Sequence, residues 1–485
     1  MTPEEELQQL RREKSQWQEQ LAQRDEQIAQ MQHELKRLGE QVQALQEQLK
    51  KDSHNSHLPP SSDRFHRQPK SLRKSSGKKP GGQSGHAGNT LMLSQTPDLV
   101  MRHTVEQCQH CQQDLREVGS AQVERRQVID LPPKRLVITE HQAECKVCPV
   151  CQQVTQADFP QEVRAPVQYG AAFGAIGVYL VQQHLLPYER ACEVMQDLLG
   201  PTMSEGTLQT LVQRCAARLS PVEAQIKAAL TQAEVLHQDE TGLYVAGKRQ
   251  WMHVSATEQL THYAVHAKRG YEALDAIGIL TDFHGVSVHD GWRSYWRYAC
   301  QHGLCNVHHL RELIFLHEQL QQAWAGQMQE LRLHMKAAVD QARAEGRKAL
   351  HPFEVQDWKT RYVALLEEGY QANPPDPPPA TRKKGRRKQS PARNLLDRLS
   401  LHQDAVLAFL ENFAMPFDNS LAERDIRMVK VQQKVSGCFR SVGGAQAFAR
   451  IRGYLSTLRK QGMPVLTALE QALVGHPVLP AFKSS

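Results

Sequence analysis

The sequence predicts a multidomain α+β protein in which several different modules follow one another along the chain. Three observations predict this class: a heptad repeat over the first fifty residues, two Cys-x-x-Cys pairs, and strand-like runs that end in aspartates. With 485 residues there is room for roughly two to four domains. A composition of 40% hydrophobic and 23% charged residues excludes a membrane protein, a collagen-like chain and a fully disordered chain.

The N-terminal segment, residues 1–50, is predicted to form a coiled coil. Its two seam positions are mostly apolar: Leu7, Lys14, Leu21, Ile28, Leu35, Val42 and Leu49, and Leu10, Trp17, Arg24, Met31, Leu38 and Leu45. An apolar stripe cannot bury itself on a lone helix, so it predicts a homo-oligomer; a helix folded back on its own chain is the alternative. Residues 51–100 follow as a basic linker rich in Pro, Gly and Ser, which is a solvated tether or also neutralises DNA phosphates.

Two cysteine pairs predict a zinc-ribbon-like, DNA-binding module at residues 101–160. Cys108 and Cys111 form the first pair, and Cys148 and Cys151 the second, with two strand-like runs between them at 122–131 and 134–144. Four thiolates suit tetrahedral Zn²⁺, and a small β module with little core depends on such a structural metal to fold. Cys145 lies three residues before the second pair and is a competing ligand. Reduced cysteines without a metal are the alternative.

Residues 161–225 are predicted to be helical. The last two of three helices are separated by Gly200-Pro201, and Ser204 is placed to cap the second of them. This arrangement is compatible with a helix-turn-helix element that reads DNA, and an ordinary helical hairpin is the alternative.

The following region alternates as strands do and predicts a ribonuclease-H-like core of mixed α/β structure. Three strands, a short helix and a fourth strand begin at about residue 233, and the core is expected to comprise residues 226–304 and 415–474. Between these parts, residues 305–414 are predicted as a helical insertion that contains a basic, Pro-rich linker at 373–393.

Two aspartates stand where strands of this core are predicted to end. Asp239 closes the first strand and Asp290 the fourth, and adjacent strands would bring both carboxylates together. Because clustered carboxylates repel each other unless cations lie between them, the pair predicts a divalent metal site. Strand-end aspartates that only form turns are the alternative.

Glu423 is the candidate for the third carboxylate of a two-metal site, which would act on a phosphodiester by in-line phosphoryl transfer. It lies near the start of a predicted helix, on the same face as Asn419 and Arg427. The alternative is a capping box, because Ser420 and Glu423 have the spacing in which the glutamate only caps its own helix.

Several long sequence motifs carry a family resemblance. They are HQDETG, WMHVSAT, HAKRG, VHDGW, LCNVHHLREL, PFDNSLAERDIRMVKVQQKVSGCFRSVGGA and IRGYLSTLRKQG, and further upstream NSHLPPSSD and KKPGGQSGH. On these words the chain resembles the Insertion Sequence 66 family of bacterial transposases over most of its length. The resemblance implies an Asp-Asp-Glu triad on a ribonuclease-H-like fold, in which Asp239, Asp290 and Glu423 hold two catalytic Mg²⁺ (or Mn²⁺) ions.

The function implied by this resemblance is that of a DNA transposase. Such an enzyme binds the ends of an insertion element and catalyses Mg²⁺-dependent strand cleavage and strand transfer. A metal-dependent nuclease of the same fold that never joins strands is one alternative, and a catalytically inactive DNA-binding repressor is another. Cys305-x-x-His308 matches a word that follows the second aspartate in several such families, and is either half of a zinc site or a structural support of the active site.

The charge of the chain is consistent with DNA as a partner. A net charge of +7 is mild, but basic residues are concentrated, and five of them follow the proposed glutamate: Arg424, Arg427, Lys430, Lys434 and Arg440. We expect them to contact phosphates, with a solvated basic face as the alternative. The N-terminal residues show no secretion signal, so a cytoplasmic protein at the bacterial nucleoid, with no membrane partner, is expected. The resemblance adds accessory proteins of the same element as further partners.

Overall fold

The computed structural model describes residues 3–51, 55–56, 93–129, 136–375 and 389–482, and shows a mixed α+β protein. Contacts divide the chain into two units. The larger comprises Met1–Lys70, Val167–Gln196 and Thr202–Ser485, and the smaller comprises Ser71–Pro166 and Asp197–Pro201. Within the described ranges, no helix is both long and apolar enough to span a membrane. Most of the predicted linker at 51–100 lies outside the described residues.

The predicted coiled-coil segment is one continuous helix, α1 (Pro3–Leu49). Its abundance of Gln, Glu, Leu, Lys and Arg, all good helix formers, accounts for this. Apolar seam side chains lie in water, with Trp17 66% and Leu49 74% exposed. An exposed apolar stripe of this length needs a partner helix to cover it. The helix is therefore confirmed, and its association into a coiled coil stays a prediction.

In the smaller unit, β1 (Cys145–Val147) and β2 (Val154–Gln156) form an antiparallel hairpin with Cys145 opposite Gln156. The two strands predicted between the cysteine pairs are wrong where they can be judged, because the described residues 122–129 and 136–144 contain no strand. Their apolar side chains show why: Val128 and Val137 are each 91% exposed. β-branched residues favour strands only where a neighbouring strand or core receives their side chains.

Four helices follow β2 in the chain: α2 (Ala171–Gln182), α3 (Tyr188–Leu199), α4 (Glu205–Arg218) and α5 (Ser220–Thr231). The predicted break before α4 is confirmed, since Gly200 has a φ of 100° and the Ser204 side chain accepts a hydrogen bond from the Thr207 N–H at 3.1 Å. A positive φ of this kind favours glycine, and serine is a preferred N-cap. DNA reading by these helices stays a prediction.

A five-stranded mixed sheet forms the centre of the larger unit, with strands β3 (Val235–Val245), β4 (Lys248–Ala256), β5 (Thr261–His266), β6 (Val286–His289) and β7 (Gln301–Leu304). Their order in the sheet is β5-β4-β3-β6-β7. The first three form an antiparallel meander, and β6 and β7 run parallel to β3. Helix α6 (Tyr271–Ile277) precedes β6, so the predicted order of three strands, a helix and a strand is confirmed. The four residues of β7 show no alternation and were not predicted.

Further helices follow β7 in the chain. They are α7 (Asn306–Leu320), α8 (Ala323–Ala344), α9 (Pro352–Ala372), α10 (Pro391–Leu401), α11 (Gln403–Glu411), α12 (Ser420–Ser436), α13 (Val442–Lys460) and α14 (Val465–Val474), with short 3₁₀ turns at Leu280–Asp282 and Tyr295–Arg297. One apolar core joins β6 and β7 to α7–α11, and a second joins β3–β5 to α12 and α13. Residues 305–414 are thus mainly helical, as predicted, although residues 376–388 of the predicted linker lie outside the described residues.

We expect the larger unit to lose stability in mild acid because of two buried histidines. Burial lowers the pKa of His253 and of His262 from 6.5 to about 4, whereas both would titrate near 6.5 when unfolded. Between pH 6.5 and about pH 4 the unfolded chain therefore binds more protons than the folded chain. The free energy of unfolding falls as the pH is lowered, by up to about 1.4 kcal/mol per pH unit for each histidine. Urea unfolding between pH 7 and about pH 4 measures this. His262→Gln should reduce the slope, and an unchanged slope would contradict the assignment.

Candidate active site

Asp239 lies within β3 and not at its end, so the sequence prediction of a strand-closing residue is wrong in this detail. The strand continues to Val245 because it pairs with β4 from His237 to Val245. Its parallel pairing with β6 stops earlier, with His237 opposite Val288. Asp239 therefore stands just beyond the parallel part of the sheet. Asp290 directly follows the last residue of β6, as predicted, and so lies at the same edge.

The carboxyl group of Asp239 is surrounded by other acids. Its enclosure by protein raises its pKa well above the ordinary value, and the charges of Glu240, Asp290 and Glu423 raise the pKa further. The Glu240 N–H donates a hydrogen bond to Asp239 Oδ1 at 2.8 Å, which only partly offsets these effects. A cluster that disfavours its own ionisation in this way is stabilised by a cation. The charges of Asp290 and Glu423 therefore both act on Asp239, as expected if the three predicted carboxylates lie near one another.

Asp290 forms the open side of this cluster. Its side chain is exposed and accepts a hydrogen bond from the Trp292 N–H at 2.8 Å through Oδ1. The other oxygen lies 4.0 Å from Nη2 of Arg269. The turn after β6 thus fixes one carboxylate oxygen and leaves the group accessible from solvent.

Glu423 does not act as a capping residue. The N-cap of α12 is Asn419, so Ser420 already belongs to the helix and the capping box is not formed. Glu423 instead turns towards α7, where its Oε1 lies 3.6 Å from both Cys305 Sγ and His308 Nε2. Sequence spacing could not show this contact, because 118 residues separate Cys305 from Glu423.

Asn419 holds the start of α12 against β3. Its Nδ2 donates to the Gln238 carbonyl at 2.7 Å, and its Oδ1 lies 2.9 Å from Nδ1 of His237. The Asn419 N–H also donates to Cys305 Sγ at 3.3 Å. One buried asparagine therefore connects the strand of Asp239, the helix of Glu423 and the first residue before α7.

Cys305, His308 and Glu423 together form a set of metal-ligand types. One ligand atom from each lies within 4.8 Å of the others, and this is the single such group of three or more found in the described part of the chain. Bonds of about 2.0–2.3 Å to a tetrahedral metal place two ligand atoms about 3.5 Å apart, so the 3.6 Å separations are suitable. Burial, followed by the charge of Glu423, raises the pKa of Cys305, which favours the thiol that donates to Glu423.

Sequence reasoning missed Glu240, which lies next to Asp239 but on the opposite face of β3, because side chains alternate along a strand. Arg269 Nε donates to its Oε1 at 2.8 Å, and the Tyr295 hydroxyl donates to its other oxygen. Burial, and then the charge of Asp290, raises the pKa of Glu240. A second acidic residue directly after Asp239 was the only sequence signal for this network.

The two cysteine pairs share one local geometry. The Cys108 N–H donates to the Gln113 carbonyl at 2.8 Å, and the Cys148 N–H donates to the Gln153 carbonyl at 2.9 Å. The residue after each second cysteine, Gln112 or Gln152, has a positive φ. Hydrogen bonds from backbone N–H groups of the following residues lower the pKa of both Cys108 and Cys148. No three of the four predicted zinc ligands form a group within 4.8 Å among the described residues.

The five predicted DNA-contacting residues lie on or just beyond α12, and all are exposed: Arg424, Arg427, Lys430, Lys434 and Arg440. Lys430 differs from the others because its Nζ donates to the Gly242 carbonyl on β3 at 2.7 Å. Burial, and then the positive charge of Arg249, lowers the pKa of Lys430. One member of the set therefore also connects α12 to the sheet.

Comparison with known families places this chain among the transposases, proteins that act in the transposition of DNA. More particularly, residues 166–447, over half of the chain, match the Transposase IS66 family, and the chain belongs to that family. The matched range contains Asp239, Asp290 and Glu423. Residues 3–92 match a second family, described as a family of unknown function (DUF6444). No curated protein matches the chain.

Proposed function

We propose that the chain binds the ends of an insertion element and catalyses metal-dependent strand cleavage and strand transfer through Asp239, Asp290 and Glu423. One observation carries this proposal: the charges of Asp290 and Glu423 both act on the enclosed carboxyl of Asp239, although the three residues come from β3, the turn after β6 and the distant helix α12. The sheet order supports a ribonuclease-H-like core, because an antiparallel meander is followed by two parallel strands. The insertion at 305–414 then separates the two parts of that core.

The residues fit a hard divalent cation such as Mg²⁺ or Mn²⁺. Carboxylate oxygens are the ligands these ions prefer, and a cation would offset the repulsion that raises the pKa of Asp239. When bound, such metals activate the attacking oxygen and neutralise the leaving oxygen of a phosphodiester. Asp239 and Asp290 would hold them from the sheet, and Glu423 from α12. Asn419 keeps the helix and the strand in register while this occurs.

For the smaller unit we propose a structural zinc module that contacts DNA. The shared turn geometry of the two Cys-x-x-Cys pairs supports Cys108, Cys111, Cys148 and Cys151 as ligands, since N–H groups that point at a sulfur stabilise the thiolate a metal needs. Cys145 lies in β1 instead of such a turn, which supports the second pair over the alternative with Cys145.

The proposed partners are double-stranded DNA at element ends and target, and a second copy of the chain. The exposed apolar seam of α1 supports self-association, because a partner helix would remove this surface from water. From the family we also propose accessory proteins of the same element as partners, and a place at the nucleoid.

The first experiment measures cleavage and strand transfer of a labelled element-end duplex in Mg²⁺, with the wild type and Asp290→Asn. Metal-dependent joining that the substitution abolishes supports the transposase. Cleavage without joining favours the nuclease of the same fold. DNA binding without any metal-dependent product, even with accessory proteins present, favours the repressor.

Reversing two positive charges on α12 should lower the affinity for DNA and make that affinity depend less steeply on salt concentration. Arg427 and Lys434 are exposed, and each phosphate contact adds about one unit to the slope of affinity against salt concentration. We expect Arg427→Glu with Lys434→Glu to reduce that slope by about two and to lower affinity at least tenfold. Binding titrations over a range of salt concentrations measure this. Lys348→Glu, an exposed change in the helical insertion, is the control, and an equal effect there would reject the assignment.

Cys305 should act as a positioning residue for Glu423. Replacing it with alanine removes the thiol that donates to Oε1, and loss of such a supporting contact typically costs about 10- to 100-fold in activity or metal affinity. We expect Cys305→Ala to raise the Mg²⁺ concentration needed for half-maximal cleavage, and Cys305→Ser to recover part of it. Cys438→Ser, at an exposed cysteine, is the control. Unchanged metal dependence in Cys305→Ala would contradict this role.

A further inference from the structure

Four side chains stack in an unbroken row beside the candidate site, and we call them the Arg–Trp strip: Arg249, Trp251, Arg269 and Trp292. The guanidinium carbon of Arg249 lies 4.7 Å from the centre of the Trp251 ring. That of Arg269 lies 5.1 Å from the same ring and 3.8 Å from the Trp292 ring. All three distances are within the range of cation–π attraction. The row therefore alternates cation and ring from the β3–β4 hairpin to the turn after β6.

The strip ends at the open carboxylate of the candidate site. The backbone N–H of Trp292 donates to Asp290 Oδ1 at 2.8 Å, and Arg269 Nη2 lies 4.0 Å from Oδ2. Trp251 stands opposite Gly242 on β3, so the strip follows the face of the sheet that carries Glu240. It thus reaches Asp290 from the side opposite to Asp239 and α12.

The two ends of the strip are free to meet a ligand, whereas its middle is already satisfied. Arg269 is ion-paired with Glu240 and largely covered. Trp292 is 38% exposed and Arg249 is exposed, and no described residue forms an ion pair with Arg249. The pKa of Lys430 is lowered mainly by burial and, as a smaller effect, by the positive charge of Arg249. Two cations close together favour the binding of an anion between them. The strip offers a partly exposed ring at one end and positive charge at the other.

Aromatic rings combined with arginines are typical of sites for single-stranded nucleic acid, because bases stack on aromatic faces while cations contact the backbone. We propose that the Arg–Trp strip binds an unpaired stretch of the DNA strand, with one base stacked on Trp292 beside the phosphodiester to be cut and a backbone phosphate at Arg249. This inference rests on the proposed function, since it takes DNA as the substrate of Asp290. It adds that the DNA is locally unpaired where it meets the site.

The test separates stacking from phosphate contact. The probe is an element-end duplex with Ca²⁺ in place of Mg²⁺, in which one nucleotide at a time around the cut is made unpaired, either as 2-aminopurine or as an abasic residue. At one position, the wild type should bind the base-containing strand about tenfold more tightly than the abasic one. Stacking in the wild type should also lower the 2-aminopurine emission at that position. Trp292→Ala should remove the binding preference and restore the emission, while Trp292→Phe should keep most of both effects. Arg249→Gln should weaken both strands alike and lower the salt slope by about one.

Two results would overturn the inference: a wild type that is indifferent to the abasic residue at every position, or a Trp292→Ala variant that keeps the wild-type preference. Phe353→Ala, which removes an 82% exposed ring from α9, controls for loss of any surface aromatic. Metal-dependent product formation by the wild type, measured separately in Mg²⁺, reports on the proposed function. A wild type that processes DNA but ignores the abasic residue rejects the strip alone, whereas one that never processes DNA rejects the function as well.

Discussion

Replacing Asp239 with asparagine should reduce the rate of strand cleavage by at least about a thousandfold, because a divalent metal supplies several kcal/mol of transition-state stabilisation that one missing carboxylate removes. The side chain keeps its size, and asparagine can still accept the hydrogen bond from the Glu240 N–H. The loss should therefore come from charge and not from disruption of β3. Single-turnover cleavage of a labelled element-end duplex measures it.

The same substitution should have the opposite effect on stability. Without metal, ionising Asp239 is opposed by its enclosure and by the charges of Glu240, Asp290 and Glu423. Asp239→Asn removes this repulsion, so at neutral pH and without metal the variant should unfold at a higher temperature than the wild type. Added Mg²⁺ should raise the unfolding temperature of the wild type and have little effect on the variant.

Asp282→Asn is the matched control, because Asp282 is an exposed acid in a 3₁₀ turn of the same unit that accepts a hydrogen bond from the neighbouring Thr281 hydroxyl. It should leave both cleavage and the effect of Mg²⁺ as they are in the wild type. If Asp239→Asn cleaves at the wild-type rate, Asp239 holds no catalytic metal. If it is inactive but also less stable without metal, the substitution has damaged the fold and the charge argument is wrong.

The sequence predicted those parts of the fold whose signals are local. The helix at 3–49, the break before α4 and the strands β3–β5 depend on patterns among neighbouring residues, and the structure has each of them. β7 was missed because its four residues gain their strand conformation from pairing with β6 and not from their own pattern. The runs at 122–131 and 134–144 failed for the converse reason, since their β propensity has no described strand or core to pack against.

In the candidate site too, the sequence predicted which residues matter but not the contacts between distant segments. Words in the sequence identified Asp239, Asp290 and Glu423 as a set, but spacing alone could not show what each side chain contacts. The capping box at Glu423 was locally reasonable, and only a contact across 118 residues shows the side chain turned to Cys305. Glu240 was missed because the sequence of one strand does not show that the acid next to Asp239 contacts Arg269, which lies 29 residues further along the chain. Contacts between distant segments are the information that a single sequence lacks.

Loss of zinc should have the second large effect, on the smaller unit. Its apolar residues are exposed, with Val128 at 91% and Val150 at 90%, and its only paired strands in the described residues are three residues each. Such a unit has little buried surface to oppose the entropy of the unfolded chain, so a structural metal would supply most of its folding free energy. We expect the full-length protein to contain one zinc per chain, and its removal by a chelator to expose residues 93–166 to limited proteolysis while the larger unit stays intact.

The chain offers a matched pair of substitutions for this test, because Cys145 and Cys148 lie three residues apart and are both cysteines of the same hairpin region. Cys148→Ser should lose the zinc, make the smaller unit sensitive to protease and weaken binding to element-end DNA, since Cys148 begins one of the two equivalent turns. Cys145→Ser should keep the metal, because Cys145 lies in β1 opposite Gln156 and outside those turns. Zinc loss in Cys145→Ser with zinc retained in Cys148→Ser would reverse the ligand assignment. Full zinc content in both variants would mean that neither cysteine is a ligand.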